Sequence, residues 1–298
     1  MQDVLCSGES DEPGGTSAKD YGEAGAGSDH SDEKGKEQLA AVGVGLEEKV
    51  IGPETLLPTT GTDLSEEQRS KLEQIQGQWK ETDALYGIFT SGSTGTPKAI
   101  VVSHGAVSRF VRHFTEIFEI TSEDVIGNQA PFDFDVSVKD IYSSIMTGAQ
   151  LVLIPKEYFS TPPRLLDYLC DKKVTNLTWA VSALTLVSAL KGLNYRVPES
   201  VKRVMFSGEA MPPKQLRIWQ EKLPEAKFVN LYGPTEITCN CTYFPIERQY
   251  EDSEKIPAGK AFPGRRVILV DEEGKQVTEP GVQGEICSAG ESLANGYY

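Results

Sequence analysis

The chain has 298 residues, 39% of them hydrophobic and 24% charged, which is enough for one large or two ordinary soluble domains. Its 29 Lys+Arg against 44 Asp+Glu give a net charge of −15, which disfavours nucleic acid and anionic lipid as partners because no basic run offsets the field. No apolar stretch approaches the ~18–20 residues of a membrane span, and the opening MQDVLCSGES carries neither a basic nor an apolar leader region, so the expected setting is cytoplasmic and without membrane insertion.

Residues 1–49 form an acidic low-complexity segment. Its first forty residues hold ten acidic residues against three lysines, with Tyr21 as the single aromatic. So little apolar surface cannot offset the entropy of ordering, and the segment is expected to be disordered. After a short transition at Val50-Ile51 and Thr55–Leu57, residues Leu64–Trp79 read as a polar helix with Asp63 or Ser65 as N-cap.

From Ala84 the pattern alternates strand and helix. Ala84–Phe89 and Ala99–Ser103 are apolar runs on either side of a Gly/Ser/Thr loop. Helical spacing follows over Val107–Phe118, with Val107, Phe110, Val111, Phe114 and Phe118 on one side. Buried strands are expected at Leu151–Ile154, Leu177–Val181, Val201–Phe206 and Phe228–Leu231. Helices are expected at Ile141–Met146, Pro163–Cys170, Leu184–Lys191 and Pro213–Lys222. Such alternation implies an α/β fold, a sheet with helices on its faces. The expected core covers 50–256. Over 257–298 the pattern becomes short strands and turns, with Val267–Val270, a turn at Asp271–Gly274 and Glu285–Cys287, a smaller β-rich subdomain. The cysteines Cys6, Cys170, Cys239, Cys241 and Cys287 show no C-x-x-C pair and read as free thiols. With His30, His104 and His113 as the histidines, they offer no zinc ligand set.

Four motifs carry the chemistry. Thr90, Ser91, Gly92, Ser93, Thr94, Gly95, Thr96, Pro97 and Lys98 place two glycines, five hydroxyls and a lysine between two strands. Backbone N–H groups, hydroxyls and a point charge at that density suit a polyphosphate, although the spacing is not that of a Walker A loop. Asn230-Leu231-Tyr232-Gly233-Pro234-Thr235-Glu236 closes a strand. Ligands gather beyond strand carboxyl ends. Tyr232 offers a flat face for a base, and Thr235 with Glu236 offers oxygens for a hard cation such as Mg²⁺. Phe132-Asp133-Phe134-Asp135-Val136-Ser137 stands ahead of a helix, where either aspartate could cap the helix or face a substrate ammonium. Phe206-Ser207-Gly208-Glu209-Ala210 is a further strand end running into a helix.

In this order the motifs resemble the adenylate-forming (AMP-binding) enzyme superfamily, and within it the amino-acid-activating branch: adenylation domains of nonribosomal peptide synthetases and D-alanyl carrier-protein ligases. Gly284–Tyr297 is similar to the family's GE-x-x-x-x-G-x-x-x-x-x-GY segment, so the resemblance runs from about Leu85 to Tyr298. It implies the family's N-terminal core fold, ATP and Mg²⁺, an amino-acid substrate and a phosphopantetheinyl carrier protein. Thr90–Lys98 would hold the β- and γ-phosphates. Gly208, Glu209, Ala210 and Asn230–Tyr232 would line the adenine, Thr235 would touch the α-phosphate, and Glu236 would ligate Mg²⁺. Asp135 would pair with the substrate ammonium, and Val136, Lys139, Ala180, Met205, Ser207, Leu231 and Cys239 would set side-chain selectivity.

Family members continue with a [YF]-x-[TS]-G-D segment, a hinge and a small C-terminal domain bearing the catalytic lysine, whereas this sequence stops at Tyr298. Lys98 belongs to the phosphate loop and is not that lysine. The expectation is therefore a fragment of a larger ligase with little turnover of its own. The alternatives are a non-catalytic nucleotide-binding fragment or homologue and an acyl-CoA or aryl-acid ligase, the latter disfavoured by Asp135.

Overall fold

The computed structural model describes residues 65–90 and 98–298, which fall into two compact units. The expectations for residues 1–64, disorder over 1–49 included, and for loop residues Ser91, Gly92, Ser93, Thr94, Gly95, Thr96 and Pro97 lie outside the described residues.

The first unit holds the described residues up to Ala106 together with Ala294–Tyr298. Helix α1 (Glu66–Gln78) opens on a capping box: the Gln68 N–H donates to Ser65 Oγ at 3.2 Å and the Ser65 N–H donates to Gln68 Oε1 at 2.9 Å. None of its residues is buried, so local capping and the acidic first turn sustain it. Strands β1 (Ala84–Thr90) and β2 (Lys98–Ser103) pair antiparallel with Thr90 opposite Lys98, so the glycine-rich loop joins two directly paired residues. A two-residue strand at Gly296–Tyr297 adds to the other edge of β2.

The second unit is Val107–Leu293. Helix α2 (His104–Ile117) buries Val107, Phe110, Val111 and Phe114, with Phe118 just beyond its end, as the spacing predicts. The main sheet has seven strands in the order β4-β3-β5-β6-β7-β8-β9. Strands β3 (Val125–Asn128), β4 (Gln150–Leu153), β5 (Asn176–Ala180), β6 (Arg203–Ser207) and β7 (Lys227–Tyr232) are parallel. They are connected through α3 (Val136–Thr147), α4 (Pro162–Asp171), α5 (Val181–Ala189) and α6 (Pro213–Lys222), since a parallel pair needs a crossover. Strands β8 (Thr242–Ile246) and β9 (Lys260–Ala261) then run antiparallel. The chain leaves β3 for β4 on one side and returns past β3 to β5 on the other, so the strand order reverses between β3 and β5. Crevices at such reversals are where α/β sheets bind ligands.

The core includes Leu165, Leu166 and Leu169 of α4, Leu184 and Val187 of α5 and Leu216 of α6, together with Leu177, Val204 and Phe206 of the strands. Each such side chain contributes about 1.5–3 kcal/mol. The buried indoles are satisfied: Trp179 Nε1 donates to the Gly127 carbonyl at 2.8 Å and Trp219 Nε1 to that of Leu184 at 3.0 Å. At the amino ends of the strands, Arg203 ties Asp124 to Asn176, with both bonds at 2.9 Å. The carboxyl ends carry three of the four predicted motifs, those at 132–137, 206–210 and 230–236. A three-stranded antiparallel sheet, β11-β10-β12, follows from β10 (Arg265–Val270), β11 (Gln276–Val277) and β12 (Glu285–Gly290). The expected turn at Asp271–Gly274 is present, with Gly274 at φ +77° and Asp271 Oδ1 accepting from the Lys275 N–H at 2.8 Å. The four described cysteines are free thiols. Among the described residues no helix is long and apolar enough to cross a membrane.

Candidate active site

Three segments of the second unit converge at the carboxyl ends of its strands. The first is the start of α3. Asp135 holds the N-cap position, yet its side chain makes no capping bond; its own backbone is helical, at φ −60° and ψ −20°. The capping alternative for Asp135 is therefore not what the fold uses. Its carboxyl instead accepts a hydrogen bond from the Thr235 side chain and one from the Cys239 backbone N–H. Burial pushes this carboxyl above the usual carboxylate range, although the Lys139 charge and these two donors pull it down.

One turn along α3, Lys139 is fully buried and donates from Nζ to Asn240 Oδ1 at 2.7 Å. The adjacent Asp140, also buried, accepts from Asn128 Nδ2 at 3.0 Å and bonds the Thr178 side chain. Burial raises Asp140 to about 7. Asn128 ends β3 and Thr178 lies in β5, so this acid sits beneath the reversal in strand order.

The second segment is the loop between β7 and β8. It leaves Tyr232 through Gly233-Pro234, makes a 3₁₀ turn at Thr235–Ile237, and passes through two consecutive left-handed residues, Thr238 at φ +58° and Cys239 at φ +65°. It closes where the Cys241 N–H donates to the Tyr232 carbonyl at 2.8 Å. Left-handed conformations cost a non-glycine residue on the order of 1 kcal/mol each. They aim the Cys239 N–H at the Asp135 carboxyl and the Asn240 side chain at Lys139. The Cys239 Sγ donates to the Asp135 carbonyl at 3.1 Å. Burial pushes this thiol far up, so it stays protonated and serves as a bond donor rather than a nucleophile.

Gly233 is required by contact. A Cβ there would lie 2.5 Å from both Asn240 Cα and the Cys241 backbone nitrogen. We expect Gly233→Ala to destabilise by about 3 kcal/mol, the upper end for overpacking, because backbone cannot turn aside as a side chain can. Chemical denaturation measures the loss. A wild-type midpoint would show that the loop yields.

The third segment comprises the strand ends. Ala180 ends β5, Ser207 ends β6 opposite it, and Met205 and Leu231 are buried within β6 and β7. Val136 is the first, half-buried residue of α3. Gly208 (φ +93°), Glu209 and Ala210 form an exposed turn, and a Cβ on Gly208 would meet nothing within 4 Å. Tyr232 is 39% exposed, which leaves it open as a stacking platform. Asn230 donates from Nδ2 to the Pro257 carbonyl at 2.8 Å, which leaves its second amide hydrogen and its oxygen for other partners.

The structure thus joins Asp135, Thr235 and Cys239 of the predicted residues in one bonded group, with the Lys139 charge acting on Asp135 beside it. Glu236 follows Thr235 on the same turn. Thr90 and Lys98 belong to the first unit, where the Lys98 ammonium lies 5.4 Å from the centre of the Tyr297 ring. Sequence reasoning missed Asn240, Asp140, Asn128 and Thr178. The one signal for Asn240 was its place in the loop that follows the Tyr-Gly-Pro-Thr-Glu motif. Among the described residues no group of three or more His, Cys, Asp or Glu could hold a metal ion. A single carboxylate such as Glu236 suits an ion carried in with phosphate oxygens and water.

A family model described as AMP-binding enzyme matches residues 25–298. Tyrocidine synthase 3 of Brevibacillus parabrevis is 37% identical over 229 residues, 77% of this chain and 3% of that protein. A D-alanine–D-alanyl carrier protein ligase of Bacillus velezensis (strain DSM 23117 / BGSC 10A6 / LMG 26770 / FZB42) is 33% identical over 251 residues, 84% of this chain and 48% of that protein. The crystal structure of the nonribosomal peptide synthetase FmoA3 (S1046A) superimposes with a TM-score of 0.79 over 96% of this chain and 29% of its own, and at 24% identity it shares the fold. The chain spans about half the length of the carrier-protein ligase and a small fraction of the synthase.

Proposed function

The chain belongs to the AMP-binding enzyme family, and from that premise we propose that it forms the nucleotide- and substrate-binding core of a ligase that activates an amino acid for a carrier protein. In the proposed reaction an oxygen of the substrate carboxylate attacks the α-phosphorus of ATP. The bond to the β-phosphate oxygen breaks, and aminoacyl-AMP and pyrophosphate result. The acyl group then passes to the phosphopantetheine thiol of the carrier as a thioester, releasing AMP. The carrier-protein ligase among the relatives supports this reading, and the nonribosomal peptide synthetase among the solved structures shares the fold. The setting is proposed to be cytoplasmic.

The observation that carries the reading is Asp135. A carboxylate at the head of a helix that makes no capping bond and is held by Thr235 and the Cys239 N–H is fixed in place, where a cationic partner would add to the pull of the Lys139 charge. A substrate α-ammonium is that partner, and pairing with it would offset the burial of the carboxylate. Thr235 would exchange its bond to Asp135 for one to the α-phosphate. Tyr232 would stack on the adenine beside Gly208, whose open surroundings admit a ring. Glu236 would hold Mg²⁺, which neutralises phosphate charge when bound. Thr90, Lys98 and the loop between them would hold the β- and γ-phosphates. Val136, Lys139, Ala180, Met205, Ser207, Leu231 and Cys239 would bound the side-chain pocket. Catalysis in this scheme is positioning and charge stabilisation, with no side-chain nucleophile.

Calorimetry of ATP·Mg²⁺ with and without a panel of carboxylic acids tests the proposal. We expect one amino acid to tighten nucleotide binding by about tenfold, or about 1.4 kcal/mol. Tightening by an aryl or fatty acid, with amino acids inert, would overturn it in favour of an aryl-acid or acyl-CoA ligase. Nucleotide binding that no acid alters would leave a non-catalytic nucleotide-binding protein.

A further inference from the structure

Arg265, the first residue of β10, is a buried arginine outside every sequence motif discussed above. Its guanidinium donates to the carbonyls of Ile237 at 3.1 Å, Thr238 at 3.2 Å and Asn240. It lies 4.5 Å from the centre of the Phe110 ring and 5.5 Å from that of Phe262. Its Nε has no acceptor, and among the described residues no carboxylate pairs with it. A buried cation held only by carbonyls and ring faces is an expensive way to stabilise a core.

The three carbonyls belong to the strained stretch of the β7–β8 loop, where Thr238 and Cys239 are left-handed in succession. From its other side that stretch directs the Cys239 N–H to Asp135 and Asn240 Oδ1 to Lys139. We propose that Arg265 is a positioning residue for substrate recognition, clamping the backbone of residues 237–240 so that Cys239 and Asn240 meet Asp135 and Lys139. The proposal rests on the reading of Asp135 as the ammonium site. It extends that reading to a residue that touches neither ligand. Arginine is required because a planar fork reaches several carbonyls at once, which a lysine ammonium on its flexible stem does not.

The test uses the full chain with aspartate ¹³Cγ-labelled and Asp135 assigned through Asp135→Asn. Two quantities are read: the Asp135 titration midpoint by NMR, without ligand, and amino-acid affinity by calorimetry in the presence of ATP·Mg²⁺. In Arg265→Met the loop loses its clamp and Asp135 loses the Cys239 N–H, a donor that holds its pKa down. We expect the midpoint to rise, amino-acid affinity to fall about tenfold, and ATP affinity to stay within about threefold. Arg265→Lys should fall between Met and wild type on both readouts. A purely structural arginine would lower the melting temperature and move neither. An unchanged midpoint together with unchanged amino-acid affinity in Arg265→Met overturns the proposal. If the Met variant does not fold, the Lys variant is judged by the same criterion. Failure of the wild type to bind any amino acid would count against the activation reading alone, since the Asp135 titration needs no ligand.

Discussion

Asp135→Ala is expected to abolish the response to the activated amino acid, by about 100-fold in affinity or about 3 kcal/mol, while ATP binding stays within about threefold. The magnitude follows from removing the one carboxylate assigned to the ammonium. The selectivity follows from local geometry: Asp135 makes no capping bond, so α3 does not depend on its side chain. Alanine also strands the Cys239 N–H and frees Thr235, which should cost about 1 kcal/mol of stability. Asp135→Asn separates the two effects, because an amide oxygen still accepts a hydrogen bond but carries no charge. Both variants should lose the amino acid, and only alanine should melt earlier. Calorimetry with ATP·Mg²⁺ and the cognate amino acid decides the matter. Equal loss of ATP affinity in both variants would show that Asp135 serves the architecture of the site.

Asp140 gives the second large effect, and it is one of pH. The usual aspartate value is 3.8, and burial in the fold raises this group to about 7. Between those values the folded protein binds more proton than the unfolded chain. The stability contributed by the protonated form is thus fully present below about pH 4 and is lost progressively as pH rises to about 7. Asp140→Asn removes the titration and keeps an acceptor for Asn128. Relative to wild type, the variant should gain up to about 3 kcal/mol between pH 5 and pH 8. Other titrating groups cancel in the difference. Urea unfolding at the two pH values measures it, and a difference independent of pH would mean that Asp140 is ionised throughout.

Much of this was legible in the sequence where local chemistry and final position agree. The apolar runs around Leu177, Val204 and Phe228 became parallel strands, and the Phe110–Phe114–Phe118 spacing became the buried face of α2. Legibility failed where polar residues are buried. Helix α3 starts at Val136, five residues before the expected Ile141, because Ser137, Lys139 and Asp140 turn inward with Val138 and hide the apolar period. Strand β3 is four residues with Gly127 inside it, held by pairing on both sides. Strand β8 contains Pro245, which reads as a breaker. Asp135 stood out in the sequence, but nothing near it announced Asn240 or Arg265. Their roles depend on contacts made across the fold, and a carbonyl clamp leaves no residue pattern of its own.

The antiparallel pairing of β8 with β7, at the end of the five parallel strands, has a consequence for how the molecule assembles. Strands β7 and β8 are near neighbours in sequence and pair with Tyr232 opposite Thr242, so their hairpin needs little chain closure and can form early. Lys139 and Asn240 are 101 residues apart, and Asp135 and Cys239 are 104 apart. These contacts must wait for the helical crossovers to dock. The loop carrying Thr235 and Glu236 can therefore exist before its counterpart on α3 arrives. A refolding experiment should recover hairpin protection first and ligand affinity last, with affinity serving as the reporter of completed topology.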